Sequence, residues 1–329
     1  MESTFDVIIA GAGINGTGIA RDAAMRGLKV LLLDKGDLCA GTTAYSTRLI
    51  HGGLRYLEHG EIGLVRESLR ERESLLRIAP HLVRPIQLMI PIYRNARRGR
   101  AKIRAGMIAY DLLSIRKSLE RHKMLSVPET LDQAPGLEPK GLIGAAVYYD
   151  AQVEYAERLV VENAMSAREH GARLLTYSRV DRIAVNPISK ATGNELGVDF
   201  TDLIDGSTGS VTAPVVINAA GPWVDLVVGK VTSVRQRAGR MIGGTKGSHI
   251  IVAGFTGAPN RALYSEARTD GRPFFVIPWT GLYLIGTTDI RYSGDLDRVR
   301  ADESEIEYLI RATNRLLPAA KLSRESVIY

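Results

Sequence analysis

Six residues near the start constrain this chain more than any others. Gly11-Ala12-Gly13-Ile14-Asn15-Gly16 stands between an expected strand at residues 5–10, unbroken and apolar from Val7 onward, and a helix-forming stretch at 15–26 that stops at Gly27. A second expected strand at 29–33, apolar from Val30 onward, follows and ends on Asp34. Continuous β-branched runs read as buried strands, and strand, helix and strand within about 30 residues make a βαβ unit. In that setting each glycine has a task. Gly11 allows the tight turn, Gly13 lets a ligand approach the backbone, and Gly16 lets helix pack on strand. Free N–H groups at the helix start favour phosphate, and the Asp34 carboxylate, next to Lys35, stands where ribose hydroxyls arrive. The pattern predicts a dinucleotide held by Gly11, Gly13, Ile14, Asn15, Gly16, Asp34 and Lys35.

The fingerprint alone does not separate FAD from a nicotinamide cofactor. A buried strand expected at 215–218 ends in Asn218-Ala219-Ala220-Gly221-Pro222-Trp223. It is similar to the second FAD contact of two-dinucleotide-binding-domain flavoproteins, which assigns Ala219, Ala220, Gly221 and Trp223 to the cofactor. Val180, opening an expected strand at 180–185, is assigned with them. Glycine supplies 33 of 329 residues, above the usual ~7%, as expected where backbone runs close to a cofactor.

Composition excludes several alternatives. With 45% hydrophobic and 24% charged residues the chain reads as soluble and globular. No apolar run approaches the ~20 residues of a membrane span, and no signal peptide is expected at the start. Cys39 is the single cysteine, which excludes an internal disulfide and fits a reducing cytosol. The net charge of +7 is local. Residues 94–123 hold ten basic and two acidic side chains, a net of +8, leaving −1 for the rest. A protein that coats nucleic acid is not expected from so confined a patch. It reads either as a solvated loop or as a contact for anionic lipid headgroups.

Further elements follow from periodicity. Helices are expected at 61–78, with Leu64, Val65, Leu69, Leu75 and Leu76 on one face, at 155–170, and at 302–317 behind an Asp302/Glu305 capping box. Residues 94–104 read as a basic loop, with 103–115 helical. Strands are expected at 174–177, 250–252, 274–278, 282–286 and 326–329, with a hairpin within 186–210. The change from a βαβ start to short antiparallel strands predicts two domains.

The most specific segment is rich in hydroxyls and glycine: Gly41-Thr42-Thr43-Ala44-Tyr45-Ser46-Thr47-Arg48-Leu49-Ile50-His51-Gly52-Gly53-Leu54-Arg55-Tyr56-Leu57-Glu58. It resembles the quinone-linked (aerobic) FAD-dependent glycerol-3-phosphate dehydrogenase family. Stretches matching in order include Arg72-Glu73, Tyr110-Asp111, Tyr149-Asp150-Ala151, Lys246-Gly247-Ser248-His249 and Thr288-Asp289. The resemblance implies an α/β fold, a Rossmann-like FAD domain like that of D-amino-acid oxidase with a second, β-rich substrate domain. The FAD domain is expected at 1–85 and 150–235, the substrate domain at 86–149 and 236–329. Thr42, Thr43, Ser46, Thr47, Leu49, His51, Gly52 and Gly53 join the cofactor site. The implied reaction is oxidation of sn-glycerol 3-phosphate to dihydroxyacetone phosphate, with hydride passing from C2 to FAD N5 and electrons passing to quinone.

Within that reading Arg55 binds the substrate phosphate, its planar fork matching phosphate oxygens, with Tyr56 alongside. His51 is the first candidate for the base or a nearby polarising group, and His249 the second. Lys246 is expected to be solvent-exposed or near the pocket rim. Glycerol 3-phosphate, quinone and an anionic membrane surface are the implied partners, with a homodimer as assembly and no nucleic acid. The implied location is cytoplasmic, peripheral on the inner face of the membrane. A soluble oxidase delivering electrons to oxygen is the rival enzyme, and an inactive FAD-binding fragment the rival without catalysis. Departures are Asp34 where the family often has Glu, and Ala44-Tyr45 in place of small polar residues. The family's G-x-R-P-L and glycine-rich segments, with their substrate arginine and flavin-side lysine, are expected beyond Tyr329.

Overall fold

Two apolar runs lie side by side, as the βαβ reading requires. In the computed structural model the strand Val7–Ala10 pairs in parallel with Val30–Leu33 on one side and Val215–Asn218 on the other, and Arg173–Leu175 completes a four-stranded parallel sheet. The structure describes residues 3–94, 96–115, 118–189, 193–232 and 241–329, with Arg55, 186–189 and 193–194 described by backbone only. It forms two units from alternating stretches, Met1–Ser46 with Tyr155–Gly244, and Thr47–Glu154 with Thr245–Tyr329.

In the first unit alternate strand residues face opposite layers. Val7, Ile9, Val30 and Leu32 pack with Ala20, Ala24 and Ala167, from the helices Ile14–Met25 and Ala156–Glu169. Ile8, Leu31 and Leu33 pack with Val198, Phe200 and Val211 of an antiparallel three-stranded sheet, Ser178–Ser189, Gly193–Asp202 and Thr208–Ala213. Both faces are therefore buried, which is why the runs are continuous rather than alternating. The expected hairpin within 186–210 belongs to this three-stranded meander.

The second unit is built on an eight-stranded sheet centred on two long antiparallel strands, Val83–Tyr93 and Leu142–Val153. Leu88, Ile90 and Ile92 face the helices Ile62–Ile78 and Arg100–Leu113. Met89 faces the helix Glu303–Leu316. That helix starts at the expected capping box, Asp302 accepting from the Glu305 N–H at 3.0 Å and Glu305 from the Asp302 N–H at 3.1 Å.

Four expectations are corrected. The first domain crossing lies at Ser46 rather than residue 85, and the later ones follow Glu154 and Gly244. Residues 47–85 join the second unit because Leu49–Ile50 pairs with Gln152 and Ala151, and Val65 and Leu69 pack in the same core as Leu88. The helix expected from residue 103 starts at Arg100, so part of the basic loop is helical; Arg116 and Lys117 lie outside the described residues. Residues 326–329 form no strand of their own: a 3-10 turn at Arg324–Ser326 leads to a single bridge from Val327 to Val252. On the 62–78 helix Leu64 is 41% exposed, and the buried stripe is Val65, Leu69 and Arg72.

Candidate functional site

The glycine loop of the first unit is shaped by backbone contacts. Gly11 has φ +114°, and a Cβ there would lie 2.5 Å from the Ala219 carbonyl oxygen. A Cβ on Gly16 would lie 1.7 Å from the Gly11 carbonyl oxygen. Protein packing alone therefore demands glycine at both positions. Gly13 differs: a Cβ there would meet nothing closer than Thr43 Oγ1 at 3.4 Å. No atom of the described residues explains this glycine, and the space beside it is a cradle that a side chain would fill.

Among the other predicted residues of this unit, Asp34, Thr43 and Ala219 bond to the same loop or to the strand leading into it, and Val180 is an exception. Asp34 accepts the Ala12 N–H at 2.6 Å and the Gly36 N–H at 2.8 Å, tying the second strand end to the loop. Each of its oxygens keeps a second lone pair for a ribose hydroxyl. Thr43 Oγ1 accepts the Ile14 N–H at 3.3 Å, Asn15 is exposed, and the Ala219 N–H bonds the Ala10 carbonyl. Asn218, not singled out from sequence, braces the turn: its Oδ1 accepts the Ala220 N–H and its Nδ2 donates to the Val224 carbonyl. Gly221 has φ +53°, Lys35 Nζ lies 4.7 Å from the Trp223 ring centroid, and the indole backs Gly41. Thr42 and Ser46 belong to the 41–46 stretch of this unit. The exception is Val180, whose side chain packs against the core shared by Phe200 and Leu31.

The second unit holds the remainder. Leu49 is on a strand, its half-buried side chain packed against the core. Thr47 Oγ1 and His249 Nε2 lie 3.0 Å apart. Burial, helped by the Arg48 charge, pushes the His249 imidazole down to about 4, so His249 is neutral near pH 7. Gly53 is left-handed, at φ 68° and ψ 60°, and begins the helix Leu54–Glu58 with the Tyr56 ring over it. Arg55 is on that helix, its side chain outside the described residues. Glu58, at the end of the same helix, pairs with Arg98 at 2.7 Å and Lys102 at 3.2 Å.

His51 is exposed, and its Nδ1 accepts the Gly53 N–H at 3.0 Å. Behind it is a buried cluster of three residues from the matching stretches, Arg72, Tyr110 and Asp150, to which motif reading gave no role. The Gly52 N–H donates to Tyr110 Oη at 2.9 Å, and Tyr110 donates to Asp150 at 2.8 Å. Arg72 pairs with Asp150, both 1% exposed. Burial raises Asp150 above the ordinary carboxyl value and Tyr110 above the ordinary phenol value, while Arg72 pulls Asp150 back. The signal lay in helix spacing: Arg72 is seven residues after Val65 and three after Leu69, on the buried stripe.

Lys246 is not at a rim. It is 8% exposed and pairs with Glu305 at 2.7 Å; Glu305 also accepts from Ser248 and Thr288. These contacts make it a structural tie. A cavity of about 850 Å³ in this unit is lined by Leu57, Ile90, Ile103, Arg98 and Phe274, and by neither His51 nor His249.

The profile of the FAD dependent oxidoreductase family matches residues 6–329. The chain belongs to this family. It is 52% identical to a Synechocystis glycerol-3-phosphate dehydrogenase, covering 99% of this chain and 60% of that protein. It is 42% identical to a D-erythritol 1-phosphate dehydrogenase of Brucella abortus, over 99% of this chain and 62% of that one. The crystal structure of the Bacillus halodurans glycerol-3-phosphate dehydrogenase with FAD superposes with a TM-score of 0.74 at 28% identity, covering 98% of this chain and 55% of that one. The chain thus spans about 60% of the length of these curated relatives. Family membership accounts for Gly13: the cradle beside it, at a helix N-terminus with the Asp34 carboxylate near, fits the pyrophosphate and ribose of FAD.

Proposed function

We propose that the chain carries the FAD site and substrate-facing sheet of an enzyme that oxidises sn-glycerol 3-phosphate to dihydroxyacetone phosphate. The likeness to the Synechocystis enzyme, continuous through both the glycine loop and the His51 loop, carries this reading. When bound, FAD supplies the acceptor for the C2 hydride at N5, and quinone is the proposed destination of the electrons. The chain's own residues position and polarise. The Gly11–Gly16 backbone and Asp34 would hold the cofactor's ADP half. Arg55 and Tyr56, following the left-handed Gly53, would hold the substrate phosphate. His249, neutral at working pH, orients the Thr47 hydroxyl.

A second substrate reading is favoured by the Brucella relative: a four-carbon polyol phosphate with the same secondary alcohol chemistry. Steady-state rates with a dye acceptor on both substrates separate the two, and peroxide release identifies an oxidase. In the substrate-oxidising protein, Arg55→Ala should lower kcat/KM more than tenfold with flavin content unchanged. Charge-assisted bonds to phosphate contribute about 1.5–3 kcal/mol each. An equal loss with unphosphorylated glycerol would remove Arg55 from phosphate recognition.

The membrane contact is proposed for the outer face of the Arg100–Leu113 helix. Ile108 and Leu112 on it, and Ile115 just beyond, are 46%, 61% and 60% exposed, beside exposed Arg97 and Arg104. Arg98 and Arg100 are engaged internally, Arg98 with Glu58, Glu266 and Tyr264, and Arg100 with the Ile143 carbonyl. Anionic vesicles should therefore bind at low salt and release as the Debye length shrinks from ~10 Å at 0.1 M to ~3 Å at 1 M. Arg97→Glu with Arg104→Glu should weaken binding at constant flavin content; unchanged binding returns the patch to a solvated face.

A further inference from the structure

The His51 loop is clamped from behind by buried charged and phenolic groups, a costly way to hold a turn unless its geometry has a task. Arg72 and Asp150 are each 1% exposed and Tyr110 3%. Arg72 also donates to the Tyr149 carbonyl at 3.2 Å, and its Nε finds no partner among the described residues. Asp150 receives only donors: Arg72, the Tyr110 hydroxyl at 2.8 and 3.0 Å, and the Gly52 N–H at 3.4 Å. This set fits the ionised carboxylate, which accepts and does not donate.

The clamp acts on one peptide. The Gly52 N–H is fixed by Tyr110, and a Cβ on Gly52 would lie 2.4 Å from Leu69 Cδ2 and 2.5 Å from Tyr110 Oη. The next residue, Gly53, is thereby delivered in the left-handed conformation, its N–H aimed at His51 Nδ1 at 3.0 Å. A ring nitrogen facing an N–H must present its lone pair, so the single proton of the neutral imidazole sits on Nε2.

We propose that Arg72, Asp150 and Tyr110 are positioning residues that hold the Gly52–Gly53 turn so that His51 is locked as the Nε2–H tautomer, presenting a hydrogen-bond donor to an oxygen of the bound substrate or cofactor. This rests on the oxidation proposed above and narrows it. With Nε2 carrying its proton and Nδ1 taken by Gly53, His51 polarises an oxygen. The hydroxyl proton released as hydride leaves C2 for the flavin passes to solvent water at this exposed loop.

Ring-nitrogen NMR of ¹⁵N-histidine-labelled protein carrying FAD tests this directly, with His51→Gln assigning one of the six histidines. The expected spectrum shows His51 Nδ1 in the unprotonated range and Nε2 in the protonated range. Tyr110→Phe, which keeps the ring but removes the nearer acceptor of the Gly52 N–H and leaves only the long 3.4 Å contact to Asp150, should move both signals toward the tautomer-averaged position and lower kcat more than tenfold at similar KM. Tyr148→Phe is the control: its ring meets Tyr110 edge-on at 5.8 Å in the same core, so it reports lost core stability without touching Gly52. It should leave the His51 signals in place. A wild-type Nδ1–H tautomer overturns the donor assignment, and unmoved signals in folded Tyr110→Phe overturn the clamp. Because the spectrum needs no substrate, these results stand apart from any failure of the glycerol 3-phosphate reading.

Discussion

The glycine loop of the first unit and the His51 loop of the second both hold backbone in shapes other residues resist, by opposite means. The first uses absence. Gly11 and Gly16 leave no side chain, strand and helix close directly on each other, and charge enters only at the partly exposed Asp34. The second uses presence. Gly52 and Gly53 give the turn its freedom, and a buried Arg72–Asp150–Tyr110 cluster removes it again. The difference teaches where each loop is vulnerable. A loop made by omission fails sterically, at one atom. A loop held by buried ions fails electrostatically, and its failure reaches the whole core.

The largest expected effect breaks the first loop. Gly16→Val places a side chain within the Gly11 carbonyl, with no flexible neighbour to yield, and should give no folded first unit by circular dichroism. Gly13→Val, three residues away, should leave the apo chain's melting temperature nearly unchanged while abolishing flavin absorbance. Retained stoichiometric flavin in Gly13→Val would show that the cradle beside Gly13 is not the pyrophosphate site.

Next comes the second loop. Asp150→Ala leaves the Arg72 charge buried and unpaired, a loss of about 3–5 kcal/mol. Replacing both, as Arg72→Leu with Asp150→Leu, should recover much of it in urea unfolding, because an apolar pair carries no desolvation cost. If the single variant costs no more than the double, the clamp is not held electrostatically and the contrast between the loops collapses.

The smallest effect is a pH dependence belonging to the second unit. His249 titrates near 4 folded, against an ordinary 6.5, so the unfolded chain binds more protons between those values. Stability is then fully present above about pH 6.5 and lost as pH falls toward about 4, roughly 3 kcal/mol in all. Asp302, lowered to about 2 chiefly by its bond from Ser304, acts only below that window. Unfolding free energies at pH 4.5 and 7 should differ less in His249→Gln than in the parent; an unchanged slope would place the titrating group elsewhere.

How much of this was legible in the sequence follows from the same contrast. The glycine loop could be read from residue types alone, because steric omission leaves its mark in the sequence. The Val215–Asn218 strand and the Asp302/Glu305 cap were legible for similar reasons, being set by local patterns. The clamp was not, since Arg72 and Asp150 are 78 residues apart and only folding shows that they meet. Lys246 was misplaced likewise: a lysine reads as exposed until Glu305 and the Arg300 carbonyl are seen around it. The domain crossing at Ser46 was hidden because a two-residue strand, Leu49–Ile50, gives almost no periodic signal.

The second unit's sheet also has a joint that bears on how the chain is made. Its early stretch, Thr47–Glu154, and its late stretch, Thr245–Tyr329, are joined within the sheet where Leu88 and Met89 pair in parallel with Ala262 and Leu263. A ribosome adding ~5–20 residues per second delivers that partner on the order of ten to thirty seconds after Tyr93. From the emergence of Leu142–Val153 until then, the Val83–Tyr93 strand is paired on one side and carries an open row of amides and carbonyls on the other. Such an edge is a template for any other extended chain. The emerging polypeptide is thus most exposed to mispairing in the middle of its synthesis, and the first unit is completed while its companion waits with one seam unsewn.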